Sequence, residues 1–160
     1  MFNLHASGGE EMMRKTKEKV ESWAKKEGVE LPLIVAVTIL TSLGDKDLIK
    51  IGFESSSLKL VEKLALLAKD AGLNGVVCSP LEVREVRNLC GKDFIIVTPG
   101  VRLKGEEMQD QKRVLTPREA IEAGSDFIVM SRPILSSSDP INTVKSILFE
   151  IEEGLNVIQR

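Results

Sequence analysis

Apolar runs alternate with helix-like segments along this chain, and this alternation restricts the fold more than any other feature of the sequence. The runs are nearly continuous in apolar and β-branched residues, which is typical of parallel strands covered on both faces. We interpret five runs as strands, at residues 2–6, 33–38, 75–78, 94–97 and 127–130. The pattern predicts an α/β fold with a parallel sheet.

Helix signals follow the strand-like runs. Two four-residue segments combine a capping Ser or Thr, a proline at the first helical position and a glutamate that completes a capping box. They are Ser79-Pro-Leu-Glu82 and Thr116-Pro-Arg-Glu119. Apolar residues at helical spacing mark further helices at 9–27, at 57–71 and after Asp139-Pro140. The sequence therefore predicts five β/α units in a single domain, 1–160, with Trp23, Met12 and Met13 in the core.

An internal repeat supports units of one kind. The segment Ala71-Gly72, Asn74, Val76-Val77 recurs 52 residues later as Ala123-Gly124, Asp126, Ile128-Val129. The repeated part comprises the end of a helix, the turn and the next strand. The same local structure is therefore expected at both places.

Repeated β/α units fit either an open doubly wound sheet or a (β/α)8 barrel. No Gly-x-Gly-x-x-Gly or Walker sequence follows a strand, so the nucleotide-binding open sheet is disfavoured. A full barrel needs roughly 200 to 250 residues or more, and five units cannot close one. Because the chain begins inside a strand, we expect a partial TIM barrel whose missing units lie on the N-terminal side.

Composition excludes several function classes. The formal charge of −2, with both signs interleaved, argues against a broad nucleic-acid surface. The longest apolar stretch, 31–40, is about half of a membrane span, and no leader-like segment opens the chain, so we expect a cytoplasmic protein with no membrane partner. Cys78 and Cys90 lack the clustered partners of a metal site and are expected to be buried, reduced thiols.

Three β→α corners carry residues suited to an anion. Thr98-Pro-Gly-Val-Arg102, Asp110-Gln111 and Ser131-Arg132-Pro133 each follow a strand-like run. Arginines, amides and tight turns at one end of a parallel sheet can bind a phosphate. Taken alone, Arg102 and Arg132 fit the role of surface ion-pair partners better, because exposed arginines usually have that role.

Six segments in order resemble the bacterial orotidine 5′-phosphate decarboxylases, almost from end to end. They are Asn3-Leu-His-Ala-Ser-Gly-Gly9, Ala36-Val-Thr-Ile-Leu-Thr-Ser42, Gly75-Val-Val-Cys-Ser79, Val97-Thr-Pro-Gly-Val-Arg102, Asp110-Gln-Lys-Arg113 and Arg132-Pro-Ile134. Each segment alone is weakly specific, but the occurrence of all six in this order and at compatible separations is a strong signal. The resemblance implies a homodimeric (β/α)8 barrel that decarboxylates orotidine monophosphate to UMP in pyrimidine synthesis, without metal or organic cofactor.

The resemblance also implies residue roles. Arg102 and Arg132 match the family's phosphate ligands, and Gln111 matches a glutamine that bridges phosphate and pyrimidine from a mobile loop. Thr41 matches a substrate contact, and its neighbour Ser42 can reach the base edge. Pro99 is expected to wall the pocket near the leaving carboxylate.

Two departures from the family qualify this assignment. The family's Asp-x-Lys-x-x-Asp motif on the third strand is absent, and no local residue replaces its lysine; Lys46 and Asp47 are interpreted as a solvated, loop-like stretch. No catalytic residue is therefore assigned in this chain. In addition, Ser131 stands where the family has glycine, so its Cβ crowds the phosphate or its hydroxyl donates to it.

Two functions of different class remain. The first is the C-terminal part of an orotidine monophosphate decarboxylase whose first strands were lost by truncation, a mistaken start codon or a split gene. The second is a short, noncatalytic paralogue that binds a phosphate or nucleotide. A different phosphate-binding decarboxylase or aldolase of the barrel superfamily fits the Thr41 and Gln111 motifs less well. In either case, we expect a homo-oligomer or a partner that carries the missing barrel strands.

Overall fold

The computed structural model describes residues 1–103 and 115–158. Its strands lie within two residues of the predicted ones and are β1 (Phe2–His5), β2 (Ile34–Val37), β3 (Gly75–Val77), β4 (Ile95–Pro99) and β5 (Phe127–Val129). The helices are α1 (Glu10–Glu27), α2 (Asp45–Lys50), α3 (Ser57–Asp70), α4 (Val83–Cys90), α5 (Pro117–Glu122), α6 (Arg132–Leu135) and α7 (Pro140–Ile158). Short 3-10 turns precede α1 and α4. Of these helices, none is both long and apolar enough to cross a membrane.

All strand pairs are parallel, and the order across the sheet is the order in the chain, from β1 to β5. A doubly wound sheet instead reverses its order at a switch point. Because right-handed crossovers in one continuous order place the helices on one face, this sheet is a section of a (β/α)8 barrel. The predicted fold class is confirmed.

The two faces of the sheet have different environments. Ile34, Ala36, Val76 and Ile96 point toward the helices and belong to the main hydrophobic cluster, together with fully buried side chains such as Met13. The intervening residues point the other way, since successive strand side chains alternate. The strand register aligns His5, Val37, Val77, Val97 and Phe127 on this second face, which we call the inner face.

The internal repeat corresponds to one repeated hydrogen-bond pattern. The side-chain Oδ1 of Asn74, just before β3, accepts from the Ile34 amide at 2.8 Å, and the backbone amide of Asn74 donates to the Ile34 carbonyl at 2.9 Å. The carboxylate of Asp126, just before β5, accepts from the Ile96 amide at 2.7 Å, and the backbone amide of Asp126 donates to the Ile96 carbonyl at 3.0 Å. Each side chain therefore aligns a strand with the strand before it. The same local structure occurs at both places, as the repeat predicted.

Arg87 of α4 reinforces the second of these contacts. Its Nη2 lies 2.7 Å from Asp126 Oδ2 and also donates to the Gly124 carbonyl, while Nη1 donates to the carbonyls of Gly91, Lys92 and Phe94. The guanidinium thus satisfies carbonyls from two turns at once. It fastens α4 to the beginnings of β4 and β5.

Two local predictions were wrong. Trp23 is 53% exposed, because it lies on the flank of α1 that carries Met12 and Thr16, whereas the buried Met13 and Ala24 occupy the adjacent face. Residues 45–50 form α2 rather than a loop. Asp47 accepts from the Gly44 amide at 2.9 Å and so stabilises the beginning of this helix.

Replacing Asn74 tests the alignment contact. Asn74→Ala leaves the amide of Ile34 without its acceptor, and we expect the free energy of unfolding to fall by about 1 to 3 kcal/mol. Asn74→Asp keeps an acceptor at the same place, as Asp126 does in the repeat, and should retain most of the stability. Urea unfolding of both variants measures the difference; equal losses would show that the side-chain acceptor is not what matters.

Candidate functional site

The predicted site residues lie beyond the carboxyl ends of the strands. Thr41 and Ser42 follow β2, Arg102 follows β4, and Ser131 and Arg132 follow β5. Because all five strands are parallel and adjacent in chain order, these corners lie together on the side of the sheet formed by the carboxyl ends of the strands, which we call the carboxyl edge. In β/α barrels this edge is where active sites form.

The two arginines follow neighbouring strands at the same separation in sequence. Pro99 of β4 is in register with Val129 of β5. Arg102 lies three residues beyond Pro99, and Arg132 lies three residues beyond Val129. Both arginines therefore follow the same aligned pair of residues at the same separation along the chain.

Arg102 is the more deeply placed arginine. The residue is 7% exposed, its Nη1 donates to the Val101 carbonyl at 2.8 Å, and its backbone amide donates to the Leu115 carbonyl at 3.0 Å. Its buried Nη2 has no hydrogen-bond partner within the described part of the chain. A buried cationic N–H without an acceptor is costly, so this atom favours an anionic ligand.

Arg132 and Ser131 are more accessible. Arg132 is exposed at the first position of α6, where its carbonyl accepts from the Ser136 amide at 2.9 Å. Ser131 has φ −129°, outside the left-handed region, so its Cβ causes no backbone strain. Its carbonyl accepts from the amides of Ile134 and Leu135, but its side chain does not cap the helix.

The remaining predicted residues fall into three positions. Thr41 is 8% exposed and Ser42 is half-buried in the turn before α2. Pro99 is half-buried at the end of β4. Gln111 lies outside the described residues, so its role stays a prediction. The structure thus places Thr41 and Ser42 two strands away from Arg102, on the same edge.

A buried carboxylate lies between these two groups of residues. Ser79 is fully buried and Glu82 is 3% exposed, just beyond β3. Glu82 Oε2 accepts from the Ser79 amide at 2.9 Å, and Ser79 Oγ accepts from the Leu81 amide at 3.4 Å. The capping box is confirmed, although its first turn is a 3-10 turn. The burial of this capping box was not predicted. The sequence feature that could have indicated it is the apolar run 75–78 directly before it.

Several polar residues near the edge serve the fold instead. Thr98 shares a 2.6 Å hydrogen bond with Ser125 on the helix side of the sheet, and Thr38 donates to the Val77 carbonyl at 2.8 Å. Cys78 and Cys90 are buried thiols that form no disulfide, as predicted. Burial raises the pKa of the Cys90 thiol, so it is a poor nucleophile at neutral pH. The described residues contain no cluster suited to a metal ion.

Comparisons of the chain with a family model and with known sequences point to the same family. A model of the family described as "Orotidine 5′-phosphate decarboxylase / HUMPS family" matches residues 1–147. An orotidine 5′-phosphate decarboxylase of Actinobacillus pleuropneumoniae serotype 5b is 50% identical over 147 residues, which cover 92% of this chain and 62% of that protein. One from Syntrophus aciditrophicus is 48% identical over 157 residues, covering 98% and 62% respectively. The chain therefore spans 62% of the length of these relatives.

Solved structures show the same partial coverage. An orotidine 5′-phosphate decarboxylase from Lactobacillus acidophilus superposes with a TM-score of 0.76 at 36% identity, covering 93% of this chain and 62% of that one. An uncharacterized conserved protein from Geobacillus kaustophilus gives a TM-score of 0.73 at 32% identity with the same coverage.

Proposed function

Because the chain belongs to the orotidine 5′-phosphate decarboxylase / HUMPS family, we propose that it carries the phosphate- and base-binding side of an enzyme that converts orotidine 5′-phosphate to UMP. The observation that carries this proposal is the buried Nη2 of Arg102, which has no partner among the described residues. A phosphate dianion supplies the missing acceptor. Arg132, at the equivalent position beyond β5, supplies the second set of donors.

Phosphate binding contributes to this reaction from a distance. The phosphate does not react, but its binding energy holds the pyrimidine ring in place and offsets the cost of desolvating the reacting carboxylate. The guanidinium group suits this role because its donors are fixed in a plane and can bind two phosphate oxygens. Arg102 is already buried and ordered by its bond to the Val101 carbonyl, so little side-chain entropy is lost on binding.

The base lies, in this proposal, toward the corner of β2. The hydroxyls of Thr41 and Ser42 donate to or accept from the pyrimidine edge, and Pro99 forms an apolar wall beside the carboxylate that leaves. Gln111 bridges phosphate and base. The proton that replaces CO2 comes from a lysine on barrel strands outside this chain, because the Asp-x-Lys-x-x-Asp motif is absent from it.

We expect UMP to raise the melting temperature of the chain, and uridine to do so much less, since uridine lacks the phosphate. Arg132→Ala should remove about 1.5 to 3 kcal/mol of UMP binding, as charge-assisted hydrogen bonds are lost. Arg84→Ala, on the exposed outer side of α4, is the matched control and should leave UMP binding unchanged. Calorimetric titration measures each affinity. Equal protection by uridine and UMP would contradict the phosphate assignment.

Ser131 tests the fine geometry of the same site. We expect its Cβ to crowd the phosphate, so Ser131→Gly should tighten UMP binding by up to roughly tenfold, or about 1.4 kcal/mol. Ser131→Ala keeps the Cβ and removes only the hydroxyl, and should bind UMP as the parent does. Weaker binding by both variants would show instead that the hydroxyl donates to the phosphate.

The activity itself depends on strands that the chain does not carry. We expect no decarboxylation by the chain alone, and turnover when a polypeptide with the first three β/α units of a relative is added. The control is the same polypeptide with Ala in place of the lysine of its Asp-x-Lys-x-x-Asp motif. This variant should assemble with the chain but give no turnover. Decarboxylation is followed by the loss of orotidine 5′-phosphate absorbance.

The alternative function is a noncatalytic nucleotide-binding paralogue. It is favoured if the assembled mixture binds UMP but does not decarboxylate orotidine 5′-phosphate. Robust activity of the chain alone as a monodisperse 17.6 kDa monomer would contradict the assignment of chemistry to the absent motif.

A further inference from the structure

A pair of buried hydroxyls joins β4 to the turn before β5. Thr98 is fully buried and Ser125 is 7% exposed, and their side-chain oxygens lie 2.6 Å apart. Ser125 Oγ also lies 3.0 Å from the Phe127 carbonyl and 3.4 Å from the Ile96 carbonyl. Each hydroxyl has one proton. Only with Thr98 as the donor to Ser125 do both protons have an acceptor among the described residues.

Three constrained residues separate Thr98 from Arg102. The ring of Pro99 restricts its φ angle, Gly100 has the left-handed φ of 78°, and the side chain of Val101 is fully buried. Arg102 is itself bonded through Nη1 to the Val101 carbonyl. Because so few torsions are free along this path, a shift of Thr98 displaces the guanidinium of Arg102 as well.

Ser125 is connected to the second arginine through β5. It lies directly before Asp126, with which β5 is aligned on β4, and Arg132 follows β5. Asp126 bonds to Ile96, whereas Thr98 lies two residues nearer to the carboxyl edge. Of the described side-chain hydrogen bonds between β4 and the start of β5, the one between Thr98 and Ser125 therefore begins nearest to the arginines.

We propose that Thr98 and Ser125 are positioning residues that hold Arg102 and Arg132 at the separation which one phosphate requires. Two guanidiniums that bind one phosphate must each present donors at about 2.7 to 2.9 Å from its oxygens, so the distance between them is restricted. The hydroxyls do not touch the ligand, because they are buried on the helix side of the sheet. They fix β4 against β5, and since this role requires that the arginines bind phosphate, it rests on the proposed function.

Thr98→Val removes the hydroxyl but keeps the branched shape of a fully buried side chain. We expect this variant to bind UMP about tenfold more weakly than the parent, because the charge-assisted contacts lose their geometry. Its affinity for uridine, which has no phosphate, should be unchanged. Thr98→Ser retains the hydroxyl and should restore most of the UMP affinity. Calorimetric titration measures the affinity for UMP, and competition with UMP measures that for uridine.

Thr38→Val is the matched control. Thr38 is 4% exposed and its Oγ1 donates to the Val77 carbonyl at 2.8 Å, so this substitution also removes a buried hydroxyl that joins neighbouring strands. No phosphate ligand follows β2 in the proposed site. The variant should therefore lower the melting temperature but keep the parent's ratio of UMP affinity to uridine affinity. Circular dichroism should show each variant folded at the temperature of the titrations.

A double variant separates positioning from stability. Ser125→Ala alone leaves the buried hydroxyl of Thr98 without its acceptor and should lower the melting temperature. Thr98→Val combined with Ser125→Ala removes both hydroxyls, so it should regain most of the parent's melting temperature. Its UMP affinity should nevertheless stay about tenfold below that of the parent, because the link between the strands is still absent.

The parent chain is titrated first. If it binds uridine as tightly as UMP, the proposed function fails and the positioning role fails with it. If the parent prefers UMP, and Thr98→Val and the double variant keep that preference in full, only the positioning role is overturned. An equal loss of preference in Thr38→Val would also overturn it, because the effect would then follow from the loss of any buried hydroxyl.

Discussion

Parallel backbone pairing in chain order is the constraint on which the rest of this structure depends. Each strand bonds to the strand that precedes it in sequence, so each helix must return over the same face. This leaves one face for the helix-packed core around Met13 and Ile96 and collects all the β→α corners at one edge. The candidate site therefore results from topology first and from the identity of Arg102 and Arg132 second.

Burial gives Arg102 a role that a surface arginine does not have. In water, a guanidinium is fully hydrated and gains little from an additional ion pair. Only one of its terminal nitrogens is bonded to a carbonyl among the described residues, and in the proposed function the phosphate supplies the acceptor that the other nitrogen lacks. In this proposal, the unfavourable burial of Arg102 in the ligand-free protein is relieved on binding, which favours ligands that carry a negative charge over those that do not.

The sequence predicted those features that depend on few neighbouring residues. The capping box at Ser79 and Glu82 is encoded within four positions, and so its place was predictable. The exposure of Trp23 and the burial of Glu82 depend on which elements pack around them, which helical spacing does not specify. Likewise, each arginine could be placed at a corner, but the alignment of the strands that precede them depends on the register of Pro99 with Val129, and no local pattern encodes that register.

The contacts of Asn74 and Asp126 have a consequence for how such a sheet can be divided. Each contact ties a strand to its predecessor, Asn74 between β2 and β3 and Asp126 between β4 and β5. Among the described residues, side-chain contacts of this kind therefore join β2 to β3 and β4 to β5. The smallest piece that carries its own alignment is therefore a strand–helix–strand pair, and a cut between such pairs separates blocks that each keep their internal register.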